Sequence, residues 1–217
     1  MSFFRTAVRI VHAIAPSLAI GIALSGVAHA DGQLYGDPQT AATYWRYQHQ
    51  EDCGLMAVAD VVGQLTGHEP SQVGIEMRGI FTPSSSHGGD VYFFDGTSPQ
   101  DMVGLLQHYG IQSDMTTGNS LDTIEQDLTG GHKVIAALNA ETIWNISGSR
   151  TTPDHAVVVT GVDTANNVVH LNDSGTPNGR DEQIPLNVFS QAWATSNDLL
   201  IVTQATGYDT VPWIPRL

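Results

Sequence analysis

One cysteine, Cys53, stands in the stretch YQHQEDCGLMAVADVVGQLTG at positions 47–67, and it is the only cysteine among 217 residues. A disulfide within one chain is therefore impossible. The thiol is inert packing, a link between two chains, or a nucleophile. A nucleophilic cysteine acts as the thiolate, and a free thiol with a pKa of ~8.5 is mostly protonated at neutral pH. A helix N-terminus favours the anion through the positive end of the macrodipole. A histidine then forms the thiolate–imidazolium pair, and a third polar side chain orients its ring. Together such surroundings bring a cysteine pKa down to ~3–7.

The sequence offers a partner for each of these roles. Cys53 opens a segment with helical spacing and is followed by Gly54, which leaves room for a substrate carbonyl. His155 opens the apolar run HAVVVTGVD, so its ring faces a cleft while the valines after it are buried. Asp173 lies at the far end of the next apolar run, and a hairpin turning midway brings the two ends together. Neighbouring strand residues face opposite sides, so Asn172 competes with Asp173 as the orienting group. An oxyanion requires donors as well. The Cys53 backbone N–H is one; a glutamine side chain just upstream is the other, Gln48 being favoured because it has room to loop back, with Gln50 as its rival. The remaining histidines show no metal-ligand spacing, so neither metal nor cofactor is expected.

The elements that position these groups fall into a helical front and a β-rich back. Leu55, Met56, Ala59, Val62 and Leu65 recur at steps that predict a helix, with Gly67 as its left-handed stop. SPQDMVGLLQHYG predicts a second helix, with Ser98 as N-cap, Pro99 in the first turn, Asp101 as box partner and Gly110 as stop. NSLDTIEQDLTGG repeats the plan, and residues 185–194 predict a short helix near the end. The runs at 133–138, 155–163, 167–173 and 199–204 are β-branched and of strand length, the second and third joined as an antiparallel hairpin. Residues 78–98 read as a loop carrying aromatic residues, a packed surface loop or a rim over the cleft. Trp144, just ahead of His155, lines a groove or covers the core. The class is α+β.

The first thirty residues, MSFFRTAVRIVHAIAPSLAIGIALSGVAHA, carry Arg5 and Arg9 at the front, an apolar middle and Ala28-His29-Ala30 at the end. This is the pattern of a cleaved secretory signal. The apolar run is short of the ~20 residues of a membrane span and is broken by Pro16. Cleavage leaves residues 31–217 as a single domain, secreted or associated with the cell envelope, with no stable membrane insertion. Six basic residues then stand against 22 acidic ones, a net charge of −16. That balance disfavours nucleic acid and anionic membranes as partners.

Gln48, Asp52-Cys53-Gly54 with its helix, His155 with the valines after it, and Asn172-Asp173 resemble the peptidase C39-like branch of the papain-like cysteine proteases. The resemblance runs from about Gln48 to Ser174 and more loosely to Gln204. It implies a papain-like fold, helical in its N-terminal half, with the catalytic cysteine at a helix N-terminus packed on an antiparallel sheet. It also implies roles: Cys53 as nucleophile, His155 as base and then acid, Asp173 as orienting residue and Gln48 as oxyanion donor. Leu55 and Ser174 depart from the family, which often has proline or alanine at the first position and proline at the second. The expected activity is hydrolysis of peptide or isopeptide bonds through a thioester, on a peptide or protein substrate. The alternatives are acyl transfer or cleavage of cell-wall peptide, for which the related endopeptidases show Asp-Cys-Ser-Gly rather than Asp-Cys-Gly, and a non-enzymatic binding module on the same scaffold.

Overall fold

A computed structural model describes residues 32–92 and 96–207. The N-terminal stretch read as an export signal lies outside the described residues, as do Phe93 and Phe94 of the aromatic loop. In chain order the strands are β1 (Leu34–Gly36), β2 (Ser113–Thr116), β3 (Val134–Leu138), β4 (His155–Asp163), β5 (Val168–Asn172), β6 (Glu182–Pro185) and β7 (Leu200–Thr203). The α-helices are α1 (Pro38–Ala41), α2 (Cys53–Thr66), α3 (Gln72–Ile80), α4 (Pro99–His108), α5 (Leu121–Thr129), α6 (Ala140–Ile143) and α7 (Leu186–Trp193). The strands form one antiparallel sheet in the order β2-β7-β3-β4-β5-β6, with β1 paired to the far end of β4.

Residue alternation along β4 builds a core on each face of this sheet. Ala156 and Val158 pack with Leu55, Val58, Ala59 and Val62 of α2 and with Leu105 of α4. Val157 and Val159 pack on the other side with Ile124 of α5 and Phe189 and Trp193 of α7. The expected helical N-terminal half packs on one face through α2 and α4, and α5 and α7 cover the other. This accounts for the unbroken apolar run of β4, since a strand buried on both sides has no polar face to show.

The long elements stand where the periodicity puts them. The helix that begins at Cys53 runs to Thr66 and closes at Gly67, whose φ of 67° is the left-handed conformation that glycine adopts without penalty. Residues 78–80, read as loop, complete helix α3 instead. Gly74 and Gly79 lower its helix propensity, and the exposed Val73 and Met77 blur its apolar stripe. The serine loop after it is anchored rather than free. Asp101, buried in α4, accepts from the Ser84, Ser85, Ser86 and Ser98 hydroxyls at 2.7–2.9 Å and from the Ser85 N–H at 2.7 Å. Burial alone would raise its pKa; these donors outweigh it and hold the carboxyl down at about 2.

A second buried acid ties α2 to the sheet. Asp60 accepts from Gln64 Nε2 at 2.6 Å and from Asn172 Nδ2 at 2.7 Å, while Asn172 also donates to the Ala41 carbonyl at 2.9 Å. No cation is bonded to it, so burial dominates over both hydrogen bonds and pushes its pKa up to about 7. Between about pH 4 and pH 7 the folded chain therefore holds a proton that the unfolded chain has released, and stability falls as pH rises through that window. Asp60→Asn, which mimics the protonated acid, is expected to flatten this fall. Thermal melts at pH 5 and pH 8 check it: Asp60 accounts for about 2.5–3 kcal/mol of the wild-type loss over that interval, the variant is expected to lose that much less, and equal losses would refute the assignment.

Candidate active site

Cys53 is the first residue of α2, half-buried, with Asp52 in the cap position. The Asp52 side chain makes no capping bond to the helix. It is fully buried and turns back instead, accepting from the His49 N–H at 3.2 Å and from Gln72 Nε2 of α3 at 3.1 Å. The approach to the thiol is thus curled around a buried carboxylate. The first-turn N–H groups of α2, that of Cys53 among them, have no acceptor within the helix. They place the positive end of the helix dipole beside the thiol.

His155 and Asp173 are joined directly. The His155 Nε2–H donates to Asp173 Oδ1 over 2.6 Å, and both side chains are almost wholly buried. A carboxylate only accepts, so the proton sits on Nε2 and Nδ1 is left for the thiol. The Cys53 thiol lies near enough to the His155 ring to act on its charge. Burial disfavours a charged imidazole here, but the bond to Asp173 and the charges of Asp173 and Cys53 outweigh it, raising the His155 pKa to about 10. Asp173 answers in the opposite sense: burial raises it, and the His155, Trp144 and Gly175 donors more than compensate, leaving it below the usual carboxylate value. The stability from the raised histidine is whole below about pH 6.5 and is lost as pH climbs through about 10. That from the depressed aspartate is present above about pH 4 and is lost as pH falls through its lowered pKa.

Three further contacts fix the aspartate. Trp144 Nε1–H donates to Asp173 Oδ2 at 2.8 Å, and its ring leans on His155 with centroids 5.0 Å apart. The Gly175 N–H donates to Asp173 Oδ1 at 2.7 Å. Trp45 Nε1–H donates to the Asp173 backbone carbonyl at 2.6 Å. Position 175 has room only for glycine, since a Cβ there would stand 2.5 Å from Trp144 Cζ2 and 2.9 Å from His155 Cε1.

Of the residues singled out in the sequence, Cys53, His155 and Asp173 are brought together. Asn172 is not; it faces the other side of the sheet and is occupied by Asp60. Gln48 reaches this corner through Ser174, whose hydroxyl donates to Gln48 Oε1 at 2.9 Å, while the Gln48 N–H bonds the Ser174 carbonyl at 2.9 Å. One Gln48 amide hydrogen is spent on the Gln50 carbonyl at 2.6 Å, which leaves the second for another acceptor. Sequence reasoning left Trp144 undecided and did not mark Gly175 as more than a turn residue. Neither contact leaves a local sequence pattern, because both are made between segments distant in the chain.

Residues 35–201 match the model of the Peptidase C39-like family. Uncharacterized proteins of Mycobacterium tuberculosis and Mycobacterium bovis are each 47% identical over 214 residues, covering 87% of this chain and 92% of theirs. Among solved structures, a Bacillus anthracis chain assigned as a C39-like peptidase superposes with a TM-score of 0.56 at 17% identity, over 79% of this chain and 97% of that one. The fold is that of the C39-like, papain-like peptidases.

Trp144→Phe keeps a ring against His155 but removes one donor from a buried carboxylate. It is expected to cost about 1.5–3 kcal/mol in urea unfolding. A loss no larger than ~0.5 kcal/mol would show that this bond contributes nothing.

Proposed function

The chain belongs to the peptidase C39-like family, and from that premise we propose that it is a cysteine peptidase cleaving peptide or isopeptide bonds through a thioester. The observation that supports this most is the continuous chain from the thiol of Cys53 through the His155 ring to the Asp173 carboxylate, starting at a helix N-terminus. In the proposed reaction the Cys53 thiolate attacks the carbonyl carbon and the carbonyl π electrons move onto oxygen. The Cys53 backbone N–H and the Gln48 amide receive that oxyanion. Its collapse expels the amine, which takes the proton from His155 Nδ1. Water then gives a proton back to Nδ1 as it attacks the thioester, and the second collapse restores the thiolate and releases the carboxylic acid, which loses its remaining proton to solvent. Asp173 stays ionised throughout and holds the imidazolium in place.

Export is part of the same proposal, carried by the composition of residues 1–30. N-terminal sequencing of protein recovered outside the producing cell is expected to begin at Asp31; a chain that keeps Met1 there would exclude a cleaved signal.

The nucleophile is tested by the rate of iodoacetamide alkylation of Cys53 against pH, in wild type and His155→Ala. Fast labelling well below pH ~8.5, slowed by the substitution, is the expected outcome. Labelling that follows an ordinary thiol in both proteins would sink the proposal. With the pair established, turnover of a peptide library rather than of cell-wall fragments separates general proteolysis from cell-wall cleavage.

A further inference from the structure

Asp173 has one acceptor site unaccounted for. An ionised carboxylate offers about four lone-pair positions. Two on Oδ1 are filled by His155 and Gly175, and one on Oδ2 by Trp144. Asp173 is fully buried, out of reach of bulk water. The side chain that reaches it is another acid. Glu182 opens β6 directly opposite Leu171, and Asp173 lies two residues beyond Leu171. Antiparallel pairing puts opposed residues on one face, and Asp173 shares that face as a diagonal neighbour. The Glu182 carboxyl thus comes up against that of Asp173, near enough for the two to act on each other's charge, and its Oε2 is buried with no hydrogen-bond partner.

Two ionised carboxylates in this arrangement would leave one buried oxygen without a donor and another facing like charge, both costly. A neutral Glu182 solves both problems. We propose that Glu182 is a positioning residue of this site, its protonated carboxyl donating to Asp173 and completing the set of bonds that holds Asp173 against His155. This rests on the thiol-hydrolase reading only for its consequence in catalysis; the shared proton itself does not.

The electrostatics of the site agree with the geometry. Burial first, then the charge of Asp173, push the Glu182 pKa up to about 7, against a smaller opposing pull from His155. No other charge competes for it. Helix α7, which follows β6, carries no titratable residue. In the preceding turn, Arg180 bonds the Ala42 carbonyl and lies over Trp45, while Asp181 is taken by His170 at 2.6 Å. Below about pH 7 the site therefore has its fourth bond. Above it, Glu182 ionises, the bond is lost and a second negative charge faces Asp173.

The test is a 13C NMR titration of glutamate carboxyls, with Glu182→Gln assigning the resonance. Glu182 is expected to titrate near neutral pH in wild type and to fall toward the ordinary glutamate range in Asp173→Asn. Titration of Glu182 as a free glutamate in wild type would overturn the proposal, whatever the reactivity of Cys53. In parallel, the pH profile of Cys53 alkylation is expected to carry an inflection at the Glu182 pKa that Glu182→Gln abolishes. Glu182→Ala is expected to lower the rate about fivefold at pH 6, the worth of one hydrogen bond, and Glu182→Gln to restore most of it because its amide still donates. An inflection that survives in Glu182→Gln, or equal losses in the two variants, would show that Glu182 does not act through a donated hydrogen. If Cys53 labels as an ordinary thiol while Glu182 titrates near neutrality, the peptidase reading fails and the shared proton stands.

Discussion

A carboxylate removed from water must find its donors inside the protein, and Asp173 is where the fold meets that demand. Its partners come from separate parts of the chain: His155 at the start of β4, Trp144 beyond α6, Gly175 in its own turn and Trp45 ahead of α2. No local element could assemble this set. It exists only once β4 and β5 have paired and the α6 segment has folded over their end. The fold can be read as the means of bringing those donors to one buried charge. The basicity of His155 is a consequence, since most of what raises it is the bond to Asp173 and the thiol beyond.

That meeting turns on a single residue. Val159 pairs with Leu171, but Gly161 pairs with His170, so Thr160 is an extra residue bulged out of β4. Beyond the bulge, Val158 stands opposite Asn172, and the same register carries Asp173 onto the face of Val157 and His155. Without it, the whole of β5 past His170 would shift by one relative to β4, and Asp173 would turn toward α2. A one-residue slip exchanges the two faces of a strand. This is why the sequence revealed a hairpin able to join His155 to the end of its partner strand, yet left Asn172 and Asp173 as rivals. Apolar alternation was no guide, because both faces of β4 are buried and both carry valine. The helix behind Cys53, by contrast, was legible to within a residue: its stripe, its glycine stop and its polar approach all agree. Trp144 could be noticed but not placed, and Glu182 was not singled out, both being positioned by tertiary closure that leaves no local pattern.

The same contrast runs through the acidic residues. Counted in the sequence, they describe a strongly anionic surface. In the fold, Asp52, Asp60, Asp101 and Asp173 are all buried, each organising a different segment. Asp101 gathers the serine loop, Asp52 curls the approach to the thiol, and Asp60 fastens α2 to β5 through Asn172. The two faces of β5 thus have separate tasks. Asn172 locks the helix that carries Cys53 against the sheet, and Asp173, the next residue, locks the ring that must meet it. The distance between thiol and imidazole is set by two consecutive residues on one strand.

In the proposed reaction Gln48 extends this coupling to the oxyanion. The approach to Cys53 is moored to the residues after β5 at three points: Trp45 on the Asp173 carbonyl, the Gln48 N–H on the Ser174 carbonyl, and the Ser174 hydroxyl on Gln48 Oε1. Because Ser174 holds the oxygen of the Gln48 amide, it is the NH2 group that turns away from Ser174, with one hydrogen on the Gln50 carbonyl. Gln50 is thereby engaged as an acceptor supporting Gln48. In the proposed reaction this favours Gln48 as the oxyanion donor and gives Gln50 the task of fixing its orientation. Nucleophile helix, base and amide donor are then all referred to residues 172–174. A preorganised site depends on such a common reference, because a donor fixed in advance costs no reorganisation when charge develops on the substrate oxygen.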